Sequence, residues 1–120
     1  MSEDFVVEEI ERAGDVARLR VSVPRDLRFF EGHFEGDPML PGIAQLLALA
    51  HRRARATFGE LGREKRIVRV KFEAVIRPGD ALDVTLERGA GVGAGETQVR
   101  FDISREGTRC ASGAIVYAAA

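Results

Sequence analysis

An α+β fold, a curved antiparallel sheet wrapped around one long central helix, is what this 120-residue sequence predicts. Three observations carry that expectation. Apolar and polar residues alternate in short runs near the start and throughout the second half of the chain. One segment between those regions is apolar nearly all round, as a buried helix is. The breaks between the alternating runs hold the Gly, Pro and Asp of turns that join antiparallel neighbours.

The elements follow in order. Phe5 to Ile10 is a weak strand candidate, and Ala13-Gly14-Asp15 turns it into the next. From Ala17 to Val23, Leu19, Val21 and Val23 share one face and Arg18, Arg20 and Ser22 the other. The helix is expected from Ile43 to Phe58: Ile43 to Ala50 is apolar, His51 to Phe58 turns amphipathic and basic, and Gly59 stops it. Its cationic end suits the negative pole of the helix dipole. Strands then follow with Val68, Val70, Phe72 and Ala74 on one face, then Leu82, Val84 and Leu86, then Val99, Phe101 and Ile103. A last strand carries Ala111, Gly113, Ile115 and Tyr117. Sheets with one apolar face need a cover, and the helix is the only element available. No repeat or linker divides residues 1–120, so a single domain is expected.

Composition narrows the function classes. A formal net charge of −1 excludes the global positive field of a nucleic-acid binder. The one cysteine, Cys110, excludes an internal disulfide or a paired-cysteine metal site, and reads as a small apolar core residue. With two histidines, a multi-histidine metal centre would need carboxylates to complete it, and no metal or cofactor is expected. The acidic start Met1-Ser2-Glu3-Asp4 lacks the order of a secretory signal, and no apolar run approaches the ~20 residues that span a bilayer. A cytoplasmic location without membrane contact is the expectation. The glycine-rich stretch Gly89 to Gly95 lies between two strands, with no helix N-terminus to receive a phosphate, and reads as a hairpin loop.

The connection from Arg28 to Gly42 carries the chemistry. It is long for a compact domain, and it holds three glycines, two prolines and three phenylalanines. His33 sits between Gly32 and Phe34, and an imidazole exchanges protons near neutral pH. The loop delivers Gly42 to the start of the helix, where N–H groups lack partners and can stabilise charge developing on a carbonyl oxygen. A base and an amide donor together suit proton removal beside a carbonyl. On residue chemistry alone, a histidine packed into the core remains the commoner reading.

The stretch Phe-Phe-Glu-Gly-His-Phe-Glu-Gly-Asp-Pro-Met-Leu-Pro-Gly, from Phe29 to Gly42, resembles the active-site loop of the β-hydroxyacyl-acyl-carrier-protein dehydratases. The ending Leu-Pro-Gly-Ile-Ala-Gln-Leu is most similar to the dehydratase-like branch of aryl-polyene biosynthesis. A weaker echo runs from Lys71-Phe72 through Arg77-Pro78-Gly79-Asp80-Ala81-Leu82. The resemblance implies a hotdog fold, usually dimeric, with the site at the subunit interface. It implies that His33 is the catalytic histidine and that the Gly42 amide faces the thioester carbonyl. The substrate would be a 3-hydroxyacyl group on an acyl carrier protein, with Arg25, Arg28, Arg52, Arg53 and Arg55 as candidate docking charges.

The family's partner acid, from the helix of the other subunit, falls fourteen residues after the histidine. That position is Leu47 here. Leucine neither positions water nor gives a proton. His51, one turn on, either assists in the acid's place or simply begins the polar half of the helix. Gln45 is a candidate hydrogen-bonding residue for substrate, or a partner for buried backbone. Phe30, Phe34 and Leu47 are candidate walls of an acyl pocket. Two rival expectations remain: thioester hydrolysis, with Glu35 activating water, and a dehydratase-like subunit that works through a partner. Asp37 lies in the same loop as a weaker candidate.

Overall fold

The computed structural model describes residues 2–30 and 40–119. Six antiparallel strands form one sheet: β1 (Val6–Ala13), β2 (Val16–Ser22), β3 (Glu64–Phe72), β4 (Ala81–Ala90), β5 (Thr97–Arg105) and β6 (Thr108–Tyr117). Their order is β1-β2-β4-β5-β6-β3, so β1 and β3 are the edges. The helix, 42–57, runs as α1 (Gly42–Ala44), a π-helical stretch (Gln45–His51) and α2 (Arg52–Thr57). It packs on one sheet face, as the one-sided alternation requires.

The registers explain the core. Leu19 pairs with Val84, Val84 with Ile103, and Ile103 with Ala111. These residues, with Val21, Leu82, Leu86, Phe101 and Ile115, form the buried face that meets Ala48, Leu49, Ala50 and Ala54 of the helix. Small residues on the helix let it lie close to the larger aliphatic groups of the strands. Four register shifts, at Val7/Glu9, Glu64/Arg66, Val68/Lys71 and Ile103/Ser104, bend the strands and help the sheet curve. The turn at Gly79 requires a left-handed residue (φ 85°), and its N–H and the Asp80 carbonyl tie it to Val23.

Two expectations are corrected. The third strand begins at Glu64 and ends at Phe72, so Ala74 lies beyond it. Nor do Val68, Val70 and Phe72 share a face. Ile67 pairs with Ile115 and Phe72 with Ala111, both on the core side, while Val68 pairs with Ala114 on the other side. The bulge inserts one residue between them and puts Arg69 in a left-handed conformation (φ 53°). The expected uniform α-helix also differs, because the Arg52 N–H bonds the Leu47 carbonyl five residues back.

The glycine-rich stretch does join β4 to β5. Glu96 closes it, accepting from Lys65 Nζ at 2.7 Å, Arg66 at 2.8 Å and the Gly93 N–H at 3.0 Å. Those donors, Arg66 foremost, hold its carboxyl at a pKa of about 2. Cys110 is buried, and burial pushes its thiol up. No helix among the described residues is long and apolar enough to cross a membrane.

Candidate functional site

His33, Phe34, Glu35 and Asp37 lie outside the described residues. What the structure does place is the frame that receives their loop. Phe30 ends a short 3-10 turn, Arg28–Phe30, and is buried in the core. Ten residues later Leu40 is buried too, its N–H bonded to the Ile76 carbonyl at 2.8 Å. Both ends of the loop are therefore pinned to the hydrophobic interior.

Pro41 precedes the helix in extended conformation (φ −60°, ψ 147°), and no side chain caps the first turn. Proline's fixed φ directs the chain into the helix at Gly42. Among the described residues nothing accepts the Gly42 N–H. Glycine lets the helix front approach the Phe72 ring on β3 closely: a Cβ would stand 2.9 Å from its Cζ, and the half-exposed ring would have to shift. The front of the helix thus lies against a side chain of an edge strand. An N–H left without an acceptor at a helix front suits an oxygen carrying partial negative charge.

Gln45, Leu47 and His51 all fall in the π-helical stretch, a feature that recurs at functional sites. Their surroundings differ sharply. Gln45 is 4% exposed; its Nε2 donates to the Leu40 carbonyl at 3.4 Å and its Oε1 has no donor among the described residues. Leu47 is 52% exposed, in a π-helical stretch whose other residues are buried or half-buried. The core-side residues of β3, Ile67 (42%) and Phe72 (50%), are also left open to solvent.

His51 turns toward the far end of β6 and the start of β3. Its Nδ1 lies 2.9 Å from the Tyr117 hydroxyl and its Nε2 3.7 Å from a Glu64 carboxylate oxygen. Arg55 bonds that same carboxylate at 3.3 Å and covers the Tyr117 ring at 5.5 Å. Burial pushes the Tyr117 phenol up to about 12, so the hydroxyl that meets Nδ1 stays protonated. Burial also lowers the His51 pKa, with Arg55 adding to the effect and Glu64 opposing it. These partners lie far away in sequence, and no local pattern announces them.

A pH dependence follows from the sign of that shift. The unfolded imidazole titrates near 6.5 and the folded one lower, so the unfolded chain takes up the proton first. The stabilisation is full above about pH 6.5 and is lost as pH falls through the lowered value. His51→Gln should flatten this part of the pH–stability curve, as measured by urea midpoints at a series of pH values.

The candidate docking arginines are largely engaged within the chain. Arg52 and Arg53 both pair with Asp4, at 3.1 and 2.6 Å, Arg28 pairs with Glu3, and Arg55 with Glu64. Arg25 lies with its guanidinium over Gly79. Among the described residues no group of three His, Cys, Asp or Glu side chains is placed to hold a metal.

Comparison with known proteins agrees with this frame. The FabZ 3-hydroxyacyl-[acyl-carrier-protein] dehydratase of Syntrophomonas wolfei is 34% identical over 101 residues, covering 77% of this chain and 67% of that protein. The FabZ of Thermomicrobium roseum is 33% identical, covering 81% of this chain and 70% of that protein. Among solved structures, the dehydratase heterocomplex ApeI:P of Xenorhabdus doucetiae superposes with a TM-score of 0.75 at 23% identity, over 98% of this chain and 99% of that one. An uncharacterised protein of Erwinia carotovora superposes at 0.66 with 28% identity, over 96% and 94%. These neighbours establish the hotdog fold that the resemblance implied. A family model described as ApeI-like, ApeI dehydratase, matches residues 9–114, nearly the whole chain. The chain belongs to the ApeI-like dehydratase family.

Proposed function

We propose that this chain dehydrates 3-hydroxyacyl thioesters carried on acyl carrier protein, and rehydrates the product in reverse. The observation that carries the reading is the Gly42 N–H, at the front of a buried helix and without an acceptor among the described residues. The thioester carbonyl accepts from that amide, which stabilises the enolate-like charge formed as the proton on carbon 2 departs. His33 takes that proton. The bond from carbon 3 to oxygen breaks, and the hydroxyl leaves as water with the proton His33 returns to it. The trans-2-enoyl thioester remains. No further reactant is required.

Leu47 favours a composite site. It leaves the helix without the carboxylate expected there, and it stands exposed on the same side of the sheet as Ile67 and Phe72. A second hotdog chain packed on this apolar face, either another copy or a distinct subunit, covers it. A distinct subunit brings its own helix, with an acid at the corresponding position. In an assembly of identical chains His51 is the titratable group left on the helix to take that role, and Tyr117 then fixes its tautomer. Phe30 and Leu47 contribute apolar walls for the acyl chain.

The test is incubation of the purified protein with a 3-hydroxyacyl-carrier protein, following enoyl product and free thiol by mass spectrometry. Enoyl formation by the chain alone, reduced in His51→Ala, supports the self-contained site. Activity that appears only with a second hotdog subunit supports the composite one. Free thiol without enoyl product would overturn dehydration in favour of hydrolysis.

A further inference from the structure

We infer that Gln45 reads the substrate's 3-hydroxyl group, its Oε1 accepting the hydroxyl O–H, so that the site prefers hydroxyacyl over unsubstituted acyl thioesters. The inference rests on the dehydration reading and names what confers its substrate class. Gln45 is the one amide or charged residue buried as a whole among the described residues, and unlike the Glu96 carboxylate it lacks partners for its oxygen. Its two ends are unequal. The amide nitrogen donates to the Leu40 carbonyl at 3.4 Å, which leaves the oxygen as the end without a donor among the described residues. Burying an acceptor with nothing to accept from is costly, and a core position that needed only bulk would be better served by methionine or leucine.

Placement gives the orphan oxygen a use. Leu40 is two residues before Gly42, so the Gln45 amide folds back onto the segment that presents the Gly42 N–H. The helix front therefore offers a donor at Gly42 and an acceptor at Gln45, less than one turn apart. A 3-hydroxyacyl thioester carries the complementary pair, a carbonyl acceptor and a hydroxyl donor two carbons away. An unsubstituted acyl chain supplies only the first. As the hydroxyl gains a proton and leaves, its O–H becomes a stronger donor, so the contact with Gln45 tightens toward the transition state. A site built around a hydrogen bond rejects the analogue that lacks it far better than a purely apolar pocket does.

The experiment measures binding without turnover. Elimination-resistant amide analogues of a 3-hydroxyacyl-pantetheine and of the matching acyl-pantetheine are titrated into wild-type protein and Gln45→Met. Wild type should bind the hydroxylated analogue roughly tenfold or more tightly, and Gln45→Met should lose that preference while binding the plain analogue as before. The Gln45→Met melting midpoint should stay close to wild type, since the substitution removes one desolvated acceptor, Oε1, and leaves another, the Leu40 carbonyl, without its side-chain donor. Equal binding of both analogues by wild type would overturn the proposal. So would a preference retained in Gln45→Met, or a fall in its melting midpoint with the preference intact, which would mark Gln45 as structural. Parallel turnover of a 3-hydroxyacyl-carrier protein by wild type shows separately whether the dehydration reading holds.

Discussion

His33→Ala should reduce enoyl formation by roughly 10²–10⁴-fold, the usual contribution of a positioned general acid–base group. The loss should fall on kcat, because the imidazole acts as the proton leaves carbon 2 and contributes little to holding the acyl chain. Steady-state kinetics with a 3-hydroxyacyl-carrier protein give the split. A variant with unchanged kcat would remove His33 from the chemistry. His51→Ala should be much milder in an assembly where another chain brings the carboxylate, since Tyr117 and Glu64 already engage that ring.

Phe58→Ala should be the most damaging change to the fold. The ring is fully buried just past the helix end, where the Phe58 N–H bonds the Ala54 carbonyl at 2.8 Å. Arg12 and Arg88 lie over it at 4.9 and 4.8 Å, and they in turn hold the Thr57 carbonyl and Asp15. Deleting the ring leaves a cavity and removes the surface on which both guanidiniums rest, at a cost of about 3–5 kcal/mol. Domains of this size have a total stability of about 5–15 kcal/mol, so much of the population should unfold under mild urea. Phe58→Leu should cost far less, because it keeps most of the volume. Urea midpoints of the two variants measure the difference.

Strands β2, β4 and β5 were legible from alternation because each buries one face under the helix, and period two records that directly; β6, buried on both faces from Ala114 to Tyr117, was legible from its apolar run and the Arg105-Glu106-Gly107 turn before it. β3 was not, for two physical reasons. It is an edge strand whose first three residues, Glu64, Lys65 and Arg66, are exposed, and its bulge moves Phe72 to the face opposite Val68. A pattern read straight through a bulge assigns half the strand to the wrong side. The π-helical stretch has no glycine or proline to signal it, and no residue in it explains the wider turn. For the site, the motif from Phe29 to Gly42 and the leucine at position 47 were legible as sequence. The clasp of His51 by Tyr117 and Glu64 was not, since it joins residues brought together only by the sheet. Nor was the unpaired oxygen of Gln45, which depends on which amide end meets Leu40.

The central claim is proton transfer at carbon 2 beside a thioester carbonyl, performed by His33. Incubating the active assembly with a trans-2-enoyl-carrier protein in deuterated water reads that step directly by mass spectrometry. One deuterium should be fixed at carbon 2 of the 3-hydroxyacyl product, and its appearance should vanish in His33→Ala. Label incorporated equally by His33→Ala, or consumption of the enoyl thioester only to free thiol, would contradict the account.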